Sequence, residues 1–378
     1  MNRIGRRRIR QALSVAIQFN CPLTAEEWTG KWENADRQKS SRHRHNDHRQ
    51  LELSLRGDAH NNRGHKMFRS ITVGLLFMVL SACTDTGLSP GEGYIAVEGG
   101  RIWYRIVGSG NETPLLLLHG GPGAPSYYLN PLERVAEDRP VVFYDQLGAG
   151  RSDRPADSAL WHVDRFVNEL AQVREALNLD EVHVLGHSWG TMLAVDYMLT
   201  NPQGVRSLIL ASPALSVQRW SEDAKRLIAR LPDTLQGVIE HHESAGTTDA
   251  AEYQEAVMEY YKRYLSRSDP WSPDLETTFE NFNWEIYGLM WGPSEFMATG
   301  SLKTYERENV LPELDLPVLF TAGRYDEATP ETVKHFQSLV PNSRIAIFEN
   351  SAHMTMLDEP EAYADTVRRF LNEIDSVE

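Results

Sequence analysis

The pentapeptide Gly186-His187-Ser188-Trp189-Gly190 lies between the apolar run Val182, Val184, Leu185 and the helix-like stretch Thr191 to Leu199. A serine between glycines at a strand-to-helix turn is placed as an exposed nucleophile. The glycines accept a sharp backbone that a Cβ would obstruct, and the following N–H opens the helix. The same five letters could form a bland glycine-rich turn, but the strand before them and the helix after them favour the nucleophile. A hydroxyl attacks only when a base takes its proton and a third group orients that base. After Ser188, Arg324-Tyr325-Asp326-Glu327 follows the apolar run Val318 to Ala322, and His353 follows Ile345 to Phe348. Serine, then acid, then histidine, each at the end of a strand, is an order suited to acyl transfer. The tetrahedral intermediate also needs two N–H donors. One is expected from Trp189 and the other from the loop His119-Gly120-Gly121-Pro122-Gly123, which follows Leu115 to Leu118.

Other histidines compete poorly. His241-His242, between Glu240 and Glu243, lacks the i, i+4 spacing of a metal-binding helix, so no metal site is read there. His183 and His187 flank the serine and are read as supporting or structural groups. No cofactor is implied.

The elements that must position these residues are legible from Tyr94 onward. Strand-length apolar runs cover Ile102 to Val107, Leu115 to Leu118, Val141 to Tyr144, Val182 to Leu185, Leu208 to Ala211, Val318 to Thr321 and Ile345 to Phe348. The later runs are continuously apolar, as parallel strands covered on both faces require. Between them Phe166, Val167, Leu170, Val173 and Leu177 repeat at helical spacing, and Tyr363, Val367, Phe370 and Leu371 form a final helix. The expected fold is therefore α/β, a doubly wound, mostly parallel sheet. The alternation stops between about Ser216 and Leu311, where eleven aromatic residues from Trp220 to Trp291 accompany helical patterns. The expectation is a helical cap over residues 216–310, inserted between core segments 94–215 and 311–378.

The 378-residue chain is long enough for such a core and cap. Its net charge of -15 is unevenly divided. Residues 1–66 carry 14 Lys and Arg against 7 Asp and Glu, whereas residues 67–378 carry 24 against 46. So acidic a body argues against a nucleic-acid partner. Residues 1–66, with basic clusters and little apolar periodicity, read as a disordered or non-native upstream extension. Met67 then opens a second beginning. Arg69 is followed by the apolar Ile71 to Leu80 and by Leu80-Ser81-Ala82-Cys83, which gives residues 67–83 the form of a signal segment. Leu-Ser-Ala-Cys resembles the bacterial lipobox, which implies lipidation at Cys83 and a lipid-anchored protein of the bacterial cell envelope. Residues 84–93 would then be a tether. With Cys21 and Cys83 as the only cysteines, the body is expected to hold no disulfide.

Several motifs in sequence resemble one family. His119-Gly120-Gly121-Pro122-Gly123, then Asp145-Gln146-Leu147-Gly148-Ala149-Gly150-Arg151-Ser152, then the Ser188 turn, then Gly323-Arg324-Tyr325-Asp326-Glu327 are similar to those of the prolyl (proline) iminopeptidases of the α/β-hydrolase fold, with the related tricorn-interacting aminopeptidase. The resemblance covers roughly Tyr94 to the C-terminus. It implies a serine exopeptidase that releases an N-terminal residue, proline or a small or apolar one, from short peptides. It also implies that Gly121 supplies an oxyanion donor. Gly292-Pro293-Ser294-Glu295-Phe296 resembles the segment whose acid binds the substrate amine, and Glu327 occupies the second such position. Two carboxylates facing one ammonium make physical sense, since one such pair at about 4 Å and an effective dielectric near 20 is worth roughly 4 kcal/mol before desolvation. The chain departs from the family at His187, where glycine is usual, and this bears on strict proline preference.

Two other readings stay open at this stage. The scaffold could serve an esterase, lactonase or amino-acid amidase, or it could be a non-catalytic lipoprotein binding module. A complete, correctly ordered triad argues against the binding module. Epoxide hydrolases and haloalkane dehalogenases are disfavoured because they carry aspartate where Ser188 stands. The preferred N-terminal residue and the oligomeric state are not legible.

Overall fold

A computed structural model of the chain describes residues 88–377. The upstream extension, the signal segment with Cys83 and the first residues of the tether lie outside the described residues. Eight strands form one sheet: β1 (Gly91–Val97), β2 (Gly100–Val107), β3 (Leu115–Leu118), β4 (Val141–Asp145), β5 (Val182–His187), β6 (Val205–Ala211), β7 (Val318–Gly323) and β8 (Ser343–Phe348). Their order across the sheet is β1-β2-β4-β3-β5-β6-β7-β8. The pairs β1/β2 and β2/β4 are antiparallel and every later pair is parallel.

The period of two along each strand divides the apolar residues between two cores. Leu116, Leu118, Val184, Leu208 and Leu210 face one side, where they meet Phe166 and Leu170 of α1 (Val163–Ala176), Leu193 of α2 (Trp189–Met198) and Phe336 of a helix over Pro330–Leu339. Leu115, Leu117, Leu185 and Ile209 face the other, against Leu129 and Leu132 of a 3-10 segment and Tyr363, Val367 and Phe370 of the C-terminal helix. Every residue of β3 is buried, which is why its sequence is simply four leucines. Burial of each such side chain contributes roughly 1.5–3 kcal/mol, so the centre of the sheet is a rigid base for the strand ends.

Strand β1 corrects one sequence expectation. Gly91 to Gly93, read as the end of a tether, pair with β2, and Leu88 already bridges Gly110. As an edge strand, β1 buries only Ile95, so no apolar run announces it.

Between β6 and β7 the chain forms five α-helices, α3 (Val217–Ile228), α4 (Asp233–Ala245), α5 (Ala251–Tyr264), α6 (Pro273–Glu280) and α7 (Trp284–Met290), followed by a 3-10 segment over Glu308–Glu313. Ser216, whose hydroxyl caps α3, bridges Glu306, so the two ends of the insertion meet. Many of its aromatics pack on one another, as Phe282 does on Trp284 with ring centroids 4.2 Å apart. No helix among the described residues is long and apolar enough to cross a membrane.

Candidate active site

The turn from β5 into α2 holds Ser188 at φ 54° and ψ -119°, a conformation that costs a non-glycine residue about 1–3 kcal/mol. Its neighbours make that turn possible by lacking side chains. A Cβ on Gly190 would lie 2.2 Å from the Leu118 carbonyl oxygen, and one on Gly186 would lie 2.3 Å from the Gly190 oxygen. The Ser188 N–H donates to the Ala211 carbonyl at 3.0 Å, which ties the turn to the end of β6.

Asp326 and His353, on the loops after β7 and β8, meet directly. His353 Nδ1 lies 2.8 Å from Asp326 Oδ1. The same carboxylate accepts from the Ser212 hydroxyl at 2.6 Å, the Ala328 N–H at 2.8 Å and the Gly323 N–H at 3.3 Å. A carboxylate fixed by this many donors can only accept from Nδ1, so the neutral imidazole presents a bare Nε2 at its other end. His353 is itself anchored to the cap, since its N–H donates to the Tyr264 carbonyl at 3.1 Å and Met354 N–H to Leu265 at 2.8 Å. Ser188 and His353 line one pocket together with Gly121, Glu295 and Glu327.

Gly121 adopts φ 113°, where a Cβ would meet the N–H of Gly123 at 2.5 Å. Glycine is therefore required for the loop to turn its amide edge inward. Among the described residues, neither the Gly121 N–H nor the Trp189 N–H, at the first position of α2, has an acceptor. These are two free donors at the nucleophile's edge of the pocket.

The two acids occupy the same pocket under the cap. Glu327 is buried, and its Oε2 has no hydrogen-bond partner among the described residues. Its Oε1 lies 3.9 Å from His353 Nε2. Burial pushes the Glu327 carboxyl well above its ordinary range, and the charges of Glu295 and Asp326 push the same way. Burial also raises Glu295, with Tyr287 and His353 opposing. Two carboxyls with raised proton affinity and an unpaired oxygen are suited to receiving a cation. Tyr261, Phe279, Phe282, Trp284 and Tyr287 supply the aromatic wall above them.

In the cap, His242 has ordinary structural partners. His242 Nδ1 contacts Thr247 at 2.7 Å and Nε2 contacts Glu252 at 2.8 Å. His183 is likewise engaged by Ser207 at 2.7 Å and Asp375 at 3.0 Å, away from the pocket.

A family model described as the alpha/beta hydrolase fold matches residues 113–360. The chain is 49% identical over 285 residues to a proline iminopeptidase of Heyndrickxia coagulans, an alignment that spans 75% of this chain and 99% of that protein. It belongs to the proline iminopeptidase family of α/β-hydrolases. A crystal structure of the proline iminopeptidase of Mycobacterium smegmatis superposes with a TM-score of 0.71 at 33% identity, covering 76% of this chain and 99% of that one. The crystal structure of VinJ does so with a TM-score of 0.73 at 36% identity, covering 76% and 100%. The protein is accordingly a hydrolase, built on the fold that its sequence motifs imply.

The roles of three residues of this iminopeptidase-family site are not marked by the sequence motifs. Gln146 clamps the donor loop: its N–H donates to His119 Nε2 at 2.8 Å, its side-chain amide donates to the His119 carbonyl at 3.0 Å, and its Oε1 accepts from the Trp189 indole at 2.9 Å. The Asp145-to-Ser152 motif marked the family without disclosing this role. Asn283 of the cap donates from Nδ2 to the Gly148 carbonyl at 2.8 Å and from its N–H to Gly123 at 3.0 Å, which docks the roof on both glycine loops. Ser212 could have been found, because it follows the apolar run of β6 at the same strand-end position that drew attention to Asp326.

Proposed function

We propose that this protein is a serine exopeptidase that releases the first residue, proline or a small or apolar one, from short peptides with a free N-terminus. Ser188 attacks the first peptide carbonyl while His353 takes its proton and later delivers it to the leaving amine. Asp326 holds the imidazole in the required tautomer and stabilises its charged form. The N–H groups of Gly121 and Trp189 stabilise the oxyanion, and Glu295 with Glu327 bind the substrate ammonium. The observation that carries the exopeptidase reading is the buried carboxyl pair in the pocket that Ser188 lines, with Glu327 Oε2 unpaired. An endopeptidase or simple esterase has no use for that cost of burial. In the assay that tests the proposal, arylamides of proline, alanine and leucine are turned over and their N-acetyl counterparts are not. Equal turnover of free and blocked substrates would overturn the amine requirement.

The Leu80-Ser81-Ala82-Cys83 motif supports a further proposal, that Cys83 is lipidated and holds the protein at the bacterial cell envelope. Metabolic labelling with a fatty-acid analogue should mark the wild type and spare Cys83→Ser. An unlabelled wild type would refute the anchor.

A further inference from the structure

His187 stands where the family usually has glycine, and it is buried while lining the pocket. Its ring joins two loops that are far apart in the chain. Nε2 lies 3.0 Å from the carbonyl oxygen of His353, and a carbonyl can only accept, so Nε2 carries the proton. Nδ1 is then a lone pair, and it lies 3.0 Å from the hydroxyl of Tyr128, which must donate to it. The Tyr128 oxygen in turn accepts from the Gly120 N–H at 2.6 Å. The result is a single directed chain from the Gly120 amide through Tyr128 and His187 to the backbone of His353. Every member is buried, and every donor and acceptor along it has one consistent role. Burial, reinforced by the nearby His353 ring, keeps His187 neutral, and burial keeps the Tyr128 hydroxyl protonated. The chain does not flip polarity in ordinary conditions.

We infer that His187 is a positioning residue, which sets the distance between the glycine loop carrying the proposed oxyanion donor and the loop carrying the proposed base. Gly120 immediately precedes Gly121, so a shift of the Tyr128 contact moves the oxyanion donor. The His353 carbonyl belongs to the residue whose ring must reach the Ser188 hydroxyl. A glycine at 187 has no side chain to join these loops, so here the connection depends on the imidazole. The inference rests on the serine-hydrolase reading above. It makes no use of the amine-binding acids.

The test uses the full-length protein and two readouts: the second-order rate at which a fluorophosphonate labels Ser188, and kcat and KM for a free-amine arylamide. His187→Phe breaks both of its contacts and should lose about tenfold in labelling rate and in kcat, with KM changed less than about twofold, since misplaced loops weaken the transition state and leave ground-state binding alone. His187→Gln keeps an N–H able to reach the His353 carbonyl and should retain at least about a third of the wild-type rate. Tyr128→Phe should lose about fivefold, and adding it to His187→Phe should cost less than about twofold more, because a broken chain is not broken twice. A folded His187→Phe protein labelled at the wild-type rate overturns the inference, as do losses that multiply in the double variant. Should His187→Phe fail to fold, a wild-type labelling rate in Tyr128→Phe overturns it instead. A wild type inert to the fluorophosphonate would sink the serine-hydrolase reading and this inference together.

Discussion

Ser188→Ala is expected to lower kcat/KM for a free-amine arylamide by about five orders of magnitude, with folding unchanged. The hydroxyl makes no hydrogen bond among the described residues, so its loss removes no structural contact, and alanine meets the same φ of 54° that serine already tolerates. Without Oγ no acyl-enzyme forms, and only the residual rate from oxyanion donors and substrate binding is left. On the proposed mechanism the three groups act as a unit, so adding His353→Ala should cost little beyond Ser188→Ala alone. Single-turnover measurements on both variants, beside circular dichroism to confirm their fold, decide the matter. Retention of a tenth or more of the wild-type rate would remove Ser188 from the chemistry.

The second large effect concerns the acid pair. Replacing Glu295 and Glu327 together by glutamine keeps their volume and removes both charges, and should cut kcat/KM for free-amine substrates by about 10²- to 10³-fold, the loss of two charge-assisted contacts to an ammonium. Fluorophosphonate labelling, which uses no amine, should change less than about threefold. A comparable fall in both readouts would mean that the acids serve the triad and not the substrate.

The pair also fixes a pH dependence with a definite sign. The folded protein holds protons on Glu327 more tightly than the unfolded chain, whose carboxyl titrates near 4.5. Its contribution to stability is therefore greatest below that value and declines as pH rises through the higher folded value. Glu327→Gln mimics the protonated acid, so it should raise the melting temperature at pH 8 by about 2–4 °C for each kcal/mol relieved and leave it nearly unchanged at pH 4. Binding has the opposite preference. An ammonium needs ionised carboxylates, so KM should fall as pH rises through the raised titration of the pair, until the substrate amine itself deprotonates near its usual pKa of roughly 8. Stability falls over the same window in which affinity grows, which is the expected signature of a charged binding site built at some cost to the fold.

Much of this protein is legible in its sequence. Every residue of β3, β4, β5 and β7 is buried, so their apolar stretches stand out and point to the loops that carry Gly121, Ser188 and Asp326, whereas His353 follows the more exposed β8. Gly190 and Gly121 are where the backbone has no room for a Cβ, so their identity is a local requirement that a motif records. Strand β1 was not readable, because an edge strand that buries Ile95 alone has no periodicity to detect. His187 was noticed as a departure from the family pattern, but nothing near it in the chain names Tyr128 or the His353 carbonyl as its partners.

The sequence by itself determined the type of chemistry, the order of its parts and the sheet that carries them, since each depends on residue type and on spacing within a few turns of chain. Only the tertiary structure decided which groups touch. The 2.8 Å contact of Asp326 with His353, the clamp of Gln146 on His119 and Trp189, and the unpaired oxygen of Glu327 arise from loops brought together across the sheet and the cap. Long-range contacts of this kind depend on how whole elements pack, and packing is set by the sum of two apolar cores that no local pattern encodes.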